Sequence, residues 1–361
     1  MMKLIHFFLP AWLLLVLACE SSEESPAPVP DSLRTEQALF ACETSQAMDL
    51  TEASSSLFFS ELIRFGSDFL YGGLGHLQVR SGYDGPVLWE SSDHPGAHLL
   101  AYGQQRVFVY GTDGIDEWLA SDSLVRRSDV GFWELLLTAD GTLLGIPYAE
   151  SWQVVAIDPL DFSTQPYLDA YPKSGCVTLS ALHQGPQGDF WAIDCDGDLL
   201  QFRQGELVQR ETASASAFWG EGDLSPAEDQ VFFLNHEDQL LAITKSASSF
   251  YEVLQRVQGE WRSLLTVRNL EGDDPSEREL ALLQAELYEA VLGEDQLLIS
   301  TSRGMHQLDL RAGADQSAED VAYFVDPRLP YETIHHLYPA PDDTWYLLNS
   351  QKAVVRLTSC E

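Results

Sequence analysis

Asp194, Asp196 and Asp198 stand at alternate positions across one turn, the kind of oxygen-rich set that Ca2+ takes. The twelve-residue calcium loop with its closing Glu is missing, and Asp-Gly turns are also ordinary hairpin chemistry. The turn is the preferred reading, and Ca2+ here is the one cofactor the chain offers. Histidines are the other metal-capable groups. His94 and His98 lie close together, His183, His236 and His306 are scattered, and His335-His336 share a strand, so one of the last two faces inward. Such residues make a metal site only if the fold converges them. No Gly-x-Ser-x-Gly elbow, HExxH pair or phosphate-cradling loop occurs. No catalytic residue is assigned on this basis.

Cys19 carries the clearest chemistry. It ends the stretch Val16-Leu17-Ala18-Cys19, after a single Lys3 and the apolar run from Leu4 to Leu17. A charged start, an apolar core and a small residue before the cut read as a secretory leader. The run holds His6 and Pro10 and is too short for a spanning helix, which needs about 20 residues. The Cys directly after the small residue resembles the lipobox of bacterial lipoproteins. That resemblance implies cleavage before Cys19, acylation of its thiol, and attachment to the cell envelope, periplasmic or on the outer surface. Residues 1–18 are then the signal peptide. Residues 19–36, rich in Ser, Glu and Pro, form a lipid-anchored tether.

The remaining segment, residues 37–361, is long enough for one large all-β domain. Twenty basic against 56 acidic residues give a net charge of −36. Such a surface repels phosphate backbones and excludes nucleic acid as a partner. It repels anionic headgroups as well, so lipid on Cys19 must do the anchoring.

After residue 50 the sequence becomes monotonous. Short apolar or alternating strands are separated by Gly, Asp, Asn and Ser. One strand recurs, beginning at Asp68, Arg106, Gly141, Asp189, Gln239, Gln296 and Thr344. A four-stranded unit repeating every ~40–50 residues is a propeller blade. The pattern resembles bacterial β-propeller proteins with degenerate blades. It implies an all-β, seven-bladed β-propeller, with six or eight blades as neighbouring solutions. The last set supplies only three strands, so a strand from Gln37–Thr44 is expected to close the ring.

That model places Cys42 and Cys360 side by side, where a disulfide would staple the closure. With Cys19 acylated, Cys176 and Cys195 remain, and an oxidising compartment favours bonds over metal ligation. If strands Cys176–Leu182 and Asp189–Cys195 pair as a hairpin with Leu182 opposite Asp189, the two Cys fall cross-strand. Between Val267 and Val291 one helix is expected, from Pro275 to Ala285, with Asp274 as cap and Leu280, Leu283 and Leu287 at helical spacing. Most tryptophans fall in strands and are expected in the core; an exposed one would be suited to stacking on sugars.

The expected function is therefore non-catalytic: a lipid-anchored, monomeric propeller binding an envelope protein or glycan through one face. The alternative is a metal-assisted lyase or lactonase at a mouth of the channel. The two differ in what must converge. The enzyme needs His, Glu, Asp or Asn from three or more blades, and the binding protein needs an aromatic or apolar patch on a face or rim.

Overall fold

The computed structural model describes residues 43–44, 48–49 and most of 61–358. Residues 1–42, 50–60, 169–178, 212–229, 270–274, 325–333 and 359–361, with a few turn positions, lie outside the described residues. Cys19, Cys42, Cys176, Cys195, Asp196 and Cys360 are among those outside.

Six blades are four-stranded antiparallel sheets, each built from one contiguous stretch with its strands in chain order. They span residues 61–94, 98–128, 132–168, 179–211, 230–268 and 287–324. A seventh, composite sheet joins Ile334–Ala340, Thr344–Asn349 and Ala353–Thr358 to two short N-terminal strands, Glu43–Thr44 and Met48–Asp49. Both short strands pair with Ala353–Thr358. The first strands of successive sheets touch one another all the way round, and Ile334–Ala340 touches Glu61–Phe65. The result is a closed β-propeller whose first strands line a central channel.

The burial pattern explains the monotony of the sequence. Second strands are covered on both faces by neighbouring blades: Leu143–Pro147 and Phe190–Asp194 are buried at every position. A strand so placed reads as a continuous apolar run. Fourth strands such as Ser123–Ser128 and Glu206–Glu211 face solvent and are polar. Among the described residues, six of the blade interfaces each hold an apolar cluster of their own. At the closure, Leu62, Phe69 and Tyr71 pack on Tyr346 and Leu348, with the Phe69 and Tyr346 rings 4.9 Å apart.

The closure follows the expectation with one change. The N-terminal contribution pairs through Glu43↔Thr358 and Thr44↔Leu357, at the end of the expected donor segment, and Met48–Asp49 adds a second contact. The hairpin in the fourth blade departs further. Gln184 pairs with Phe190 and His183 with Trp191, and a bulge at Ala181 (φ 52°) then moves the register so that Leu179 faces Asp194. The expected Leu182–Asp189 pairing is not formed, so register gives Cys176–Cys195 no support.

The helix is shorter than expected, α1 at Glu277–Gln284. Its cap is Ser276, not Asp274. Ser276 accepts from the Glu279 backbone while the Glu279 carboxylate accepts from Ser276 N, a reciprocal pair that satisfies two orphan donors. Ala281, Leu282 and Leu283 are buried in the cluster shared by the fifth and sixth blades. The helix therefore seals the side of the ring between two blades.

Candidate functional site

The first strand of each blade is an edge strand, so its backbone groups facing the channel have no ladder partner. Side chains from adjacent blades supply the missing bonds. Glu61 accepts from Leu99 N at 2.6 Å, Glu134 from Leu182 N at 3.2 Å and Glu289 from Leu337 N at 2.6 Å. His336 Nε2 lies 3.0 Å from the Leu62 carbonyl. Asn235 donates to the Gln184 carbonyl at 2.8 Å, and the Gln184 amide oxygen accepts from Ala139 N at 2.7 Å. Among the described residues, side chains thus tie inner strands together at five of the seven blade junctions.

β-Bulges precede Glu134, Glu289, His336 and His183, whereas Glu61 and Asn235 stand in unbroken ladders. Register shifts fall between Phe132 and Glu134, Leu287 and Glu289, Ile334 and His336, and Ser180 and His183. The extra residue turns the following side chain toward the neighbouring blade.

The same groups form an electrostatic chain. His98 Nδ1 lies 2.6 Å from Glu61, and that hydrogen bond raises the His98 pKa above 6.5 against the opposing effect of burial. Burial lowers the affinity of His336 for a proton, yet Glu289, at 3.0 Å from Nδ1, outweighs it and leaves the pKa raised. With both ring nitrogens on acceptors, the imidazolium is the fitting form. Glu134 is partly buried in the channel wall, and that burial pushes its pKa up to about 7, against the Leu182 N–H and the charge of His98. Burial, then the Glu61 and Glu134 charges, push up the Tyr110 phenol. His183 is lowered by burial, although it bonds Asn235 at 3.0 Å.

The channel therefore gathers His98, His336 and three glutamates from five sheets, the convergence that the lyase reading demanded. Their use is different: each glutamate is committed to the next blade's backbone. Among the described residues no three such side chains stand close enough to share one metal ion. The side chains of His94 and His335 are outside the described residues. His306 is buried in the sixth blade beside Tyr251, away from this chain of groups.

The Asp194–Asp198 turn is a hairpin turn. Asp194 N bonds the Asp198 carbonyl at 3.0 Å, the Asp194 carboxylate accepts from Asp198 N at 2.9 Å, and Gly197 takes φ 79°. Arg210 supplies the positive charge: its guanidinium contacts Asp198 through Nε and Asp194 through Nη2, the latter at 3.2 Å. Asp196, the third expected ligand, is outside the described residues.

Two surfaces are shaped to meet something else. On the face carrying the second-to-third-strand turns, Trp133 and Tyr148 are half exposed, at 50% and 48%, with rings 4.6 Å apart. Trp133 is the extra residue of the third-blade bulge, between Phe132 and Glu134. Its approach is held in place by Gly131, where a Cβ would fall 1.9 Å from the Thr112 carbonyl oxygen, and by Tyr148 N bonding the Gly131 carbonyl at 2.8 Å. Val130, three residues before Trp133, is also exposed. Trp118 and Trp191 are buried, as expected of strand tryptophans, and Trp133 is the departure. On the opposite face, where the first-to-second and third-to-fourth turns lie, a cleft of about 720 Å3 separates the fourth and fifth blades.

Sequence reasoning missed the glutamate ring, although a signal was present. Glu61-Leu62-Ile63, Glu134-Leu135-Leu136 and Glu289-Ala290-Val291 repeat one acidic residue at the same place in three first strands.

No protein-family model matches the chain, and no curated protein matches it. Solved structures do. The extracellular domain of a putative hybrid two-component system from B. thetaiotaomicron superposes with a TM-score of 0.62 at 12% identity, over 91% of this chain and 44% of that one. PorZ, a bacterial surface component of the type-IX secretion system of Porphyromonas gingivalis, gives 0.55 at 14%, over 83% and 46%. The WD40 β-propeller domain of Doa1 gives 0.55 at 11%, over 89% and 97%. The chain thus spans less than half the length of the first two. At these identities the likeness establishes the fold alone.

Proposed function

We infer that this protein is an exported, lipid-anchored propeller that binds an envelope protein or glycan without catalysing a reaction. The observation that carries this is the exposed Trp133–Tyr148 pair, displayed by a bulge at a channel mouth. Large aromatics held rigidly in the open, at low entropic cost, are the usual anchors of a recognition surface. The channel carboxylates have structural duties, which leaves binding as the better account of the exposed chemistry. Two of the similar structures are an extracellular domain and a bacterial surface component by description, a setting compatible with this reading.

Acylation of Cys19, with the 19–36 tether, holds the monomeric ring near a membrane. Cys42 stands one residue before the Glu43↔Thr358 pairing and Cys360 two residues after it, so a Cys42–Cys360 disulfide would staple the closure. The Cys176–Cys195 bond rests on the oxidising compartment alone.

The test uses immobilised wild type and the Trp133→Ala/Tyr148→Ala double variant, each exposed to detergent-solubilised envelope of the source bacterium. A protein or glycan held by wild type and lost by the double variant supports the reading. Equal retention, or none by either, refutes it for this face. Cys19→Ser should release the chain from the membrane fraction; an unchanged distribution refutes the anchor.

A further inference from the structure

The cleft between the fourth and fifth blades lies on the opposite face from Trp133 and Tyr148, and nothing in the fold's closure requires it. Its mouth is preorganised. The rim turn Gln258-Gly259 holds positive φ at both residues (54° and 89°). It closes a two-residue hairpin at Val257↔Glu260. This tight hairpin form matches strand twist and leaves little freedom at the rim.

The lining is unusual. Five glutamines contribute, Gln187, Gln201, Gln209, Gln239 and Gln258; Gln201 donates to the Asp189 carboxylate and Gln209 to Glu211 at 2.7 Å, which leaves Gln187, Gln239 and Gln258 as the amides a ligand would use. An amide presents donor and acceptor together, as a sugar hydroxyl does. Gln239 Oε1 is shielded from solvent and has no hydrogen-bond donor; a buried acceptor left so costs about 1–3 kcal/mol. The lining carries Arg203 and Arg256 with Asp189 and Asp238, and Glu211 pairs with Arg256 behind it. This is a site of nearly balanced charge on a protein of net charge −36.

Arg256 is a fixed wall. It stacks on the Trp191 ring at 4.4 Å and on Trp261 at 5.3 Å, and bonds Gln209 at 3.2 Å and Glu211 at 3.4 Å. An anionic ligand would meet Asp189 and Asp238, and a cationic one the two guanidiniums. The volume, about 720 Å3, is within the ~300–1,000 Å3 range of small-ligand sites.

We propose that this cleft binds a neutral oligosaccharide, its hydroxyls bonded by the glutamine amides. The site is independent of the aromatic pair on the other face.

The test is calorimetric titration of the full purified chain with cellohexaose, maltohexaose, laminarihexaose and chitohexaose, and with anionic hexagalacturonate for comparison. At least one neutral sugar should bind saturably. Its affinity should fall about tenfold or more in Gln187→Ala and in Gln239→Met, about 1.4 kcal/mol or more. Trp133→Ala should leave it unchanged. Thermal midpoints close to wild type establish that both cleft variants fold, and Gln239→Met keeps the side-chain volume. Absence of binding by all four neutral sugars, binding of hexagalacturonate alone, or affinity untouched by both cleft substitutions overturns the proposal. Loss in Trp133→Ala alone would move the sugar to the other face.

Discussion

Replacing Glu134 with Gln removes a charge from the channel wall and keeps the acceptor for Leu182 N. In the wild type, burial raises this carboxyl from 4.5 to about 7, so the folded chain takes up a proton that the unfolded chain would release. The contribution to stability is fully present below the unfolded value and is lost as pH rises through the folded one. A shift of this size corresponds to about 3 kcal/mol, at about 1.4 kcal/mol per pH unit. Glu134→Gln has no such proton to lose. It should match wild type near pH 4.5 and exceed it by up to about 3 kcal/mol at pH 8, with most of the change between. Urea melts at half-unit pH steps measure this directly. Glu134→Ala, which leaves the Leu182 N–H without its acceptor, should cost about 1–3 kcal/mol at low pH. Parallel pH profiles for wild type and Glu134→Gln would refute the assignment of the charged carboxyl to a buried site. Lower stability of Glu134→Gln than of wild type at pH 8 would do the same.

Other outcomes follow from the same geometry. The raised pKa of His336 means that its bond to Glu289 stabilises the fold below the ordinary histidine range and weakens as pH rises past the raised value. His336→Gln should therefore lose about 1.5–3 kcal/mol at pH 6 and less at pH 9, read by urea melts, with the His336 ring titrating above 6.5 by NMR in the wild type. Gly131→Ala drives a methyl against the Thr112 carbonyl and should cost about 1–3 kcal/mol in thermal melts, with weaker partner binding by the aromatic pair. Ser276→Ala removes the cap of α1 and should cost about 1 kcal/mol, with faster amide exchange confined to that helix. Non-reducing peptide maps of the exported protein should recover a Cys42–Cys360 pair; free thiols at both positions would leave closure to strand pairing alone.

The architecture was legible because propeller burial imprints itself on sequence. Second strands covered on both faces must be apolar throughout, and those starting near Asp68, Arg106, Gly141, Asp189, Gln239, Gln296 and Thr344 stood out for that reason. The missing fourth strand of the last set likewise pointed to the N-terminus, and Glu43–Thr44 pairs there. A helix was expected in the right place, but not by the right stripe: Leu287 lies in the following strand, and the buried residues of the helix are Ala281, Leu282 and Leu283 rather than Leu280, Leu283 and Leu287. Its start was not legible either, because Asp274-Pro275 and Ser276 with Glu279 offered competing caps, and the reciprocal Ser276–Glu279 pair forms.

The candidate sites depended on what tertiary structure adds. A bulge moves register by one residue without changing composition, so the acidic residue repeated in three first strands did not itself tell that Glu134 and Glu289 turn toward a neighbouring blade, and nothing local told that His336 does, that Ala181 undoes the expected hairpin pairing, or that Trp133 is displayed while Trp118 and Trp191 are buried. The glutamine cleft joins turns some 50 residues apart in sequence, a proximity created only when two blades pack. Sequence determined the strands and the ring because those follow from which faces are buried. Ring closure decided which polar groups meet, because partners across a blade interface are set by packing and by the edge bonds each inner strand must satisfy.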